Sequence, residues 1–248
     1  MARGKAPRRT GRRFQMLTLT DIRNDAEITQ LINSANHVLK QIGYTDHGPR
    51  HTGYVSRVTE QILKTLGYDE RTVELGAIAG WIHDIGNAVN RTNHGITGAQ
   101  MVYFLLTARG MDYEEVCRIV SAIGNHEEQN GRVVSEISAA LVIADKSDAH
   151  RTRVRRGHYD PNDIHDRVNY AISQSTLKVD PEHKIITFEM TMDETSSITE
   201  FLQIYLSRMR MCEEAAAFLD CRFRLVMNGM SVNRTREEHL QGGVVIDG

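Results

Sequence analysis

The stretch Gly80-Trp81-Ile82-His83-Asp84-Ile85-Gly86-Asn87 places a histidine and an aspartate side by side at the end of an apolar run. That run, residues 73–82, has the composition of a buried helix. Burying an imidazole beside a carboxylate is costly unless each has a partner, and a divalent cation can partner both. A core histidine next to a capping aspartate would have the same local sequence, so the pair alone does not decide between a metal site and ordinary packing.

Four further potential ligands lie elsewhere in the chain, each near the start or the end of a predicted helix. They are His51, His94, His126 and Asp145. Imidazole and carboxylate ligands without a nearby cysteine suit Mn, Fe, Co, Ni or Zn, with Mg also possible, in a site of the catalytic type. Six ligands are too many for one tetrahedral ion but suit two cations that share a carboxylate. We therefore predict one or two divalent transition-metal ions per chain, with Asp84 as the bridge.

Composition limits the other classes of function. The chain has 248 residues and a formal net charge of -2, so it can bury a large core, and it shows no overall charge bias towards nucleic acid or membrane. Its three cysteines, Cys117, Cys212 and Cys221, are far apart and predict reduced core residues in a cytoplasmic protein. No segment approaches the ~20 apolar residues of a membrane span. We therefore expect a soluble cytoplasmic protein.

The first thirteen residues are rich in arginine and lysine, and no apolar segment follows them. They are therefore not a secretory signal. We predict that residues 1–20 form a basic flexible tail. The alternative that stays open is that this tail contacts nucleic acid or an anionic surface, which would be the protein's only nucleic-acid contact.

Apolar residues recur at helical spacing over most of the chain and predict a helical domain at residues 21–174. Gly48-Pro49 interrupts the chain between His47 and His51, so His51 is expected in the first turn of a helix. Gly86 is expected to cap the helix that carries His83, and residues 87–93 to form a polar loop. The predicted helices are 25–42, 51–66, 69–85, 94–108, 113–123, 135–144 and 164–173.

After about residue 175 the apolar pattern changes to a period of two, which is typical of strands. We predict a hairpin over residues 177–192, a long amphipathic helix at 198–219 and a strand at 222–227. These elements form a small α+β unit at 175–232, followed by a flexible tail at 233–248. This unit is also the predicted surface for a homo-oligomer.

The order His51, His83-Asp84, His126 and Asp145, with His94 in addition, resembles the HD-domain superfamily of metal-dependent phosphohydrolases over residues 46–156. The resemblance implies a mainly α fold, an HD-domain-like helical bundle. It further implies that His51, His83, Asp84 and Asp145 hold one metal ion. A second ion would be held by His94 and His126, with Asp84 bridging.

The chain also departs from the patterns of some HD-domain subclasses. Many relatives have a lysine where this chain has Asn87, and the Gly-Tyr-Pro motif of cyclic-dinucleotide phosphodiesterases is absent. Residues 85–88 replace the Val-Glu-Asp-Thr sequence of alarmone hydrolases. Both of those substrate classes are therefore disfavoured.

The leading hypothesis is hydrolysis of a phosphate ester, either a nucleotide or another small phosphorylated metabolite, by a metal-activated water. Asp84 would be central to catalysis, and His47 could donate a proton to the leaving group. Lys146 is the best candidate for binding the phosphate. The weaker candidates for phosphate binding are Arg50, Arg91 and Asn87.

Several alternatives stay open. Asp148 could accept a hydrogen bond from a ligand histidine or only cap a turn, and Glu127 and Glu128 are expected to be solvated. The remaining histidines of the second half, His150, His158, His165 and His183, are expected at the surface.

An HD-type ligand-binding or regulatory module, with metal but little catalysis, is the alternative function. Keeping six ligands argues against a pure scaffold, which has no physical need for them. A zinc protease is excluded by motif, because His126-Glu127-Glu128-Gln129-Asn130 lacks the second histidine.

Overall fold

The structure is a computed structural model that describes residues 14–155, 157 and 159–233, and the backbone of residues 244–246. The basic segment 1–13 and most of the predicted C-terminal tail lie outside the described residues, as does His158. Residues 14–20, which the sequence assigned to the tail, include the buried Leu17 and the start of the first helix. The division into domains stays a prediction.

The described part of the chain is mainly helical, as predicted. Most helices begin after an aspartate or serine whose side chain accepts a hydrogen bond from a backbone N–H of the first turn. Short 3-10 helices occur at Ile85–Ala88 and Arg151–Arg153. The α-helices are α1 (Leu19–Arg23), α2 (Ala26–Gln41), α3 (Pro49–Thr65), α4 (Glu70–Ile82), α5 (His94–Ala108), α6 (Tyr113–Gly124), α7 (Glu136–Ser147), α8 (Ile164–Ala171) and α9 (Ile198–Phe218).

Helix α7 is the centre of the packing. Residues 137–144 are all fully buried, and the helix contacts α3, α4, α6 and α9. A helix that is apolar all round is stable only inside such a ring of neighbours. The end of α7 is consequently held in the interior, which decides where Asp145 lies.

The C-terminal unit is a small sheet with one long helix. Its strands are β1 (Ile172–Asp180), β2 (Ile185–Met192), β3 (Arg222–Met227), β4 (Met230–Ser231) and β5 (Val244–Ile246), in the order β4-β3-β2-β1-β5. The predicted hairpin is β1 and β2, and β3 runs parallel to β2. Helix α9 contacts both β3 and α7. The predicted fold class, a helical bundle with a small α+β unit, is confirmed, and self-association through this unit stays a prediction.

Three predicted helix ends are wrong. Helix α4 ends at Ile82 and not at residue 85, and α7 continues through Ser147 instead of ending before Asp145. Helix α8 ends at Ala171 and not at residue 173, because β1 begins at Ile172 and not at residue 177. In α7 the last turn is stabilised by tertiary contacts of Asp145 and Lys146, which the local sequence does not show.

Gly86 does not cap α4. It lies in the 3-10 helix, where a Cβ atom would collide with the backbone oxygen of His94 and come within 2.6 Å of the Gly98 nitrogen. Glycine is therefore required because the N-terminal turn of α5 approaches the backbone at this point. The expected polar loop is partly structured for the same reason, and Asn87 is fully buried.

The cysteines divide by exposure. Cys212 and Cys221 are buried free thiols, as predicted, whereas Cys117 is exposed. The core assignment of Cys117 is wrong because α6 turns this position away from the buried face that carries Val116 and Ile119. Among the residues that the structure describes, none of the helices has both the length and the apolar character needed to cross a bilayer.

The close approach at Gly86 generates a test of the fold. We expect Gly86→Ala to lower the free energy of unfolding by about 1–3 kcal/mol, because the added methyl group meets backbone that cannot rotate away. Thermal and denaturant unfolding measure this loss. The matched control is Gly53→Ala in α3, whose Cβ would lie 3.5 Å from the Trp81 ring, an ordinary contact. Equal stability of the two variants would contradict the account.

Candidate metal centre

The structure brings all six predicted ligands to one place, where the ends of several helices meet. His51 lies in the first turn of α3, and His83 and Asp84 directly follow α4. His94 begins α5, His126 follows α6, and Asp145 is in the last turn of α7. All are buried except Asp145, whose side chain is 14% exposed.

Asp84 lies between two groups of imidazoles. Its Oδ2 atom is 3.6 Å from Nε2 of His51 and 3.6 Å from Nε2 of His83. Its Oδ1 atom is 3.1 Å from Nε2 of His94 and 3.8 Å from Nε2 of His126. Each oxygen of one carboxylate thus faces a different pair of rings.

Asp145 completes the first group. Its Oδ1 atom is 3.3 Å from Nε2 of His51 and 3.7 Å from Nε2 of His83. Ligand atoms of His51, His83 and Asp145 lie within 4.8 Å of one another, as do those of His83, Asp84 and His126. The first set is a candidate site for one cation. Asp84 and His126 of the second set, with Nε2 of His94 3.1 Å from Asp84 Oδ1, are a candidate site for another.

The hydrogen bonds at Nδ1 fix the tautomers of three of the ligand histidines. Nδ1 of His83 is 2.9 Å from the Gly80 carbonyl oxygen, and Nδ1 of His126 is 2.6 Å from that of Ile123. Nδ1 of His51 is 2.6 Å from Asp148 Oδ2. Carbonyl and carboxylate oxygens only accept, so each ring donates from Nδ1. In the neutral rings, the Nε2 lone pairs then face the carboxylates.

The ring of His94 also donates from Nδ1 to oxygen acceptors. Its Nδ1 is 3.1 Å from the Arg91 carbonyl oxygen and also contacts the Glu127 carboxylate. Its Nε2 is 3.2 Å from Nε2 of His126. Two neutral rings held in this way direct their lone pairs at each other, which is favourable only with a proton or a cation between them.

The nitrogen and oxygen atoms of these side chains are suited to bind a metal ion. Nε2 of His51 and Nε2 of His83 are buried and have no hydrogen-bond partner among the described residues. Adjacent ligand atoms around a cation with bonds of ~2.1 Å are roughly 3.0–3.4 Å apart, close to the separations found around Asp84 and Asp145. A cation in each set would satisfy these nitrogens and offset the buried negative charge.

The electrostatics reflect the same concentration of charge. Burial disfavours the charged form of Asp84, but the electrostatic effect of the adjacent His83 ring and hydrogen bonds from His126 and His94 hold its pKa well below the ordinary value. Burial likewise opposes protonation of His94, but hydrogen bonds with Asp84 and Glu127 raise its pKa to about 9. Without another cation, protons on the imidazoles supply the positive charge that the carboxylates attract.

Asp148 contacts the side of the His51 ring that faces away from Asp84 and Asp145. Of the two roles left open for Asp148, it therefore has the first, accepting a hydrogen bond from a predicted ligand histidine. Its carboxylate accepts from Nδ1 of His51 and from both terminal nitrogens of Arg50, at 3.1 and 2.6 Å. Burial opposes ionisation, but Arg153, His51 and Arg50 hold the pKa of Asp148 well below its ordinary value. A charged partner of this kind orients a ligand histidine and increases its basicity.

Glu127 and Glu128 are not solvated, contrary to the sequence prediction. Glu127 is buried and contacts the ring of His94. The half-buried Glu128 pairs with Nζ of Lys146 at 3.0 Å and with Nε of Arg208 at 3.3 Å. The prediction failed because these cationic partners lie far away in the sequence.

The predicted phosphate-binding residues occupy different surroundings. Lys146 is buried and donates to Asp145 Oδ2 at 2.7 Å. Asn87 donates to Asp84 Oδ1 at 2.9 Å and so holds that carboxylate in place. Arg50 is directed at Asp148, whereas Arg91 lies against Tyr44 and lines the cavity.

His47 lines the cavity but is badly placed to act as an acid. Its Nε2 is 2.9 Å from Nη2 of Arg153, which can only donate, so the ring proton is on Nδ1 and is bonded to the Thr45 carbonyl oxygen. Burial and the charge of Arg153 hold the pKa of His47 well below its ordinary value. A neutral ring with its proton committed to the backbone disfavours the predicted acid role.

A cavity of about 580 Å³ opens onto the ligands. Two cationic residues of its lining, Arg153 and Arg208, were not among the predicted site residues, although the sequence placed the basic segment 151–156 in a loop that could lie beside the site. A signal existed for Arg208, because it lies three residues after Tyr205 and four before Cys212 and therefore interrupts the apolar stripe of α9. An arginine on a buried stripe indicates a polar partner or a site.

The histidines predicted at the surface are placed as follows. His165 and His183 are exposed, and His165 also lines the cavity. His150 is half-buried, with Nε2 3.0 Å from the Ser173 carbonyl oxygen. The surface assignment is therefore wrong for His150, because its ring bridges to β1.

Comparison with known proteins gives limited similarity. No family model matches the chain, and no curated protein matches it. Among solved structures, it matches the crystal structure of a predicted HD superfamily hydrolase from an uncultured Thermotogales bacterium, with 24% sequence identity and a TM-score of 0.41. The match covers 50% of this chain and 67% of that one. A likeness of this extent does not establish a reaction, so the chemistry rests on the residues of the site.

The contact between Asp148 and His51 can be tested directly. We expect Asp148→Asn to weaken metal binding by roughly 10- to 100-fold, because the orienting negative charge behind the ring is lost. Competition with a chromophoric chelator measures the affinity. Asp193→Asn, which removes an exposed partner of Arg151, is the control and should leave the affinity unchanged. Unchanged affinity in Asp148→Asn would contradict the role assigned to the Asp148 charge.

Proposed function

We propose that this protein is a metal-dependent phosphohydrolase that acts on a nucleotide or another small phosphorylated metabolite. The observation that carries the proposal is the position of Asp84, whose two oxygens face two separate pairs of imidazole nitrogens. Two cations sharing one carboxylate are a common arrangement for displacement at phosphorus.

The residues would divide between two ions. His51, His83 and Asp145 would hold one, His94 and His126 the other, and Asp84 would be shared. The all-nitrogen-and-oxygen donor set suits Mn, Fe, Co, Ni or Zn, with Mg also possible. When bound, such cations supply an activated water for attack on phosphorus and positive charge opposite the phosphate oxygens.

The surrounding side chains support that chemistry by holding the ligands rigid. Asn87 donates to Asp84, and Asp148 accepts from His51. Lys146 donates to Asp145 Oδ2, so Oδ1 stays directed to the side of His51 and His83. Preorganisation of this kind removes reorganisation cost from the reaction.

Two positively charged side chains remain candidates for binding the phosphate itself. Lys146 donates to two carboxylates and has a third N–H available, and it lines the cavity next to Asp145. Arg91 lines the same cavity beside His94. We do not assign a leaving-group proton to His47.

Metal content and hydrolysis test the proposal together. We expect wild-type protein to hold one or two transition-metal ions per chain, measured by plasma mass spectrometry, and to hydrolyse members of a panel of nucleotides, dinucleotides and generic phosphate esters. Asp84→Asn should lose both ions and reduce hydrolysis by at least about 100-fold, since both ligand sets share this carboxylate. His183→Asn is the control, because His183 pairs with Asp180 at an exposed turn.

Full hydrolysis by Asp84→Asn would end the proposal. Wild-type protein that binds metal but hydrolyses none of the panel would favour a regulatory or ligand-binding module instead. Unfolding temperatures of both variants separate loss of metal from loss of the fold.

A further inference from the structure

We propose that Arg208, on helix α9 of the C-terminal unit, binds an anionic group of the substrate. This inference rests on the proposed function, since it assigns a substrate contact at the same cavity. It gives the α+β unit a direct role in the site, in addition to packing against α7.

Arg208 is held in a defined position at the cavity wall. Its guanidinium carbon lies 4.9 Å from the centre of the Tyr205 ring, and its Nε donates to Glu128 Oε1 at 3.3 Å. Tyr205 is itself fixed, because its ring stacks on Phe201 and its hydroxyl donates to Asn169 at 3.2 Å. The side chain of Arg208 is 25% exposed and lines the cavity.

The binding capacity of this arginine is mostly unused. A guanidinium has five N–H donors, and only Nε–H of Arg208 has a partner among the residues that the structure describes. The four N–H groups on Nη1 and Nη2 form the fork that pairs with two oxygens of a phosphate or a carboxylate. A fork already ordered by an aromatic ring and a carboxylate loses little entropy when an anion binds.

A purely structural role explains these contacts less well. Glu128 does not need Arg208 for neutralisation alone, because Lys146 already lies 3.0 Å from its other oxygen. The contact of Glu128 Oε1 with Nε of Arg208 therefore orients the guanidinium and leaves its terminal nitrogens for another acceptor.

The position of Arg208 relative to the metal ligands supports a substrate contact. A continuous series of ion pairs runs from Arg208 to Glu128, from Glu128 to Lys146, and from Lys146 to Asp145. Asp145 faces His51 and His83 on its other side. An anion at Arg208 would thus lie in the same cavity as the reacting centre, either as the phosphate that reacts or as a second anionic group of the substrate.

The test compares Arg208→Gln with Arg210→Gln in metal-loaded protein. Arg210 is on the same helix but is exposed and does not line the cavity, so it is the matched control. We expect Arg208→Gln to weaken binding of inorganic phosphate, measured by calorimetry, by roughly 10- to 100-fold, as for loss of charged hydrogen bonds. KM for p-nitrophenyl phosphate or the best ester of the panel should change more than kcat, with metal content unchanged.

Two further comparisons sharpen the result. Arg208→Lys keeps the charge without the fork and should fall between wild type and Arg208→Gln, which separates anion binding from a packing defect. Adenosine 5′-monophosphate and adenosine 3′,5′-bisphosphate distinguish the source of the anion. A rise in KM for both supports contact with the reacting phosphate, and a rise for the bisphosphate alone supports contact with a second group.

Phosphate affinity in Arg208→Gln equal to that of wild type and Arg210→Gln would overturn the inference, as would wild-type protein that does not bind phosphate. A different result would overturn the proposed function. If wild-type protein hydrolyses nothing but phosphate binding is lost in Arg208→Gln, the anion site stands and the phosphohydrolase proposal falls.

Discussion

The buried carboxylate of Asp84 is the constraint on which the rest of the site depends. Only 4% of this residue is exposed, and four imidazole nitrogens surround its two oxygens. Such a carboxylate is stable only if positive charge lies on both sides. The fold meets this need by ending α4 at Ile82, so that Asp84 can turn towards the starts of α3 and α5 and the ends of α6 and α7. Gly86 makes the turn possible by letting α5 approach.

The sequence predicted the elements whose boundaries depend on local signals. Helices α2, α5, α6 and α9 and the β1–β2 hairpin follow from apolar periodicity and capping residues, and the structure confirms them within a few residues. The sequence did not predict the ends of α4 and α7. There the boundary is set by contacts between elements, the backbone approach at Gly86 and the ion pairs of Lys146, which no local pattern encodes.

The same distinction applies to the site. The six ligand candidates could be found because each is a polar residue at the end of an apolar helix, where burial without a partner is costly. Glu128 was misjudged and Arg208 was missed because the ion pair between them joins residues that lie 80 positions apart in the chain. Through Arg208 and Tyr205, helix α9 brings the C-terminal unit to the cavity wall. Neither the apolar periodicity nor the resemblance to HD domains could indicate this contact.

The most direct test of the account is anomalous diffraction from crystals grown with manganese, recorded near the manganese absorption edge. The account predicts two peaks, one on each side of the Asp84 carboxylate, the first beside His51, His83 and Asp145 and the second beside His94 and His126. Peaks at other residues, or no peak near Asp84 in protein shown to contain manganese, would contradict it.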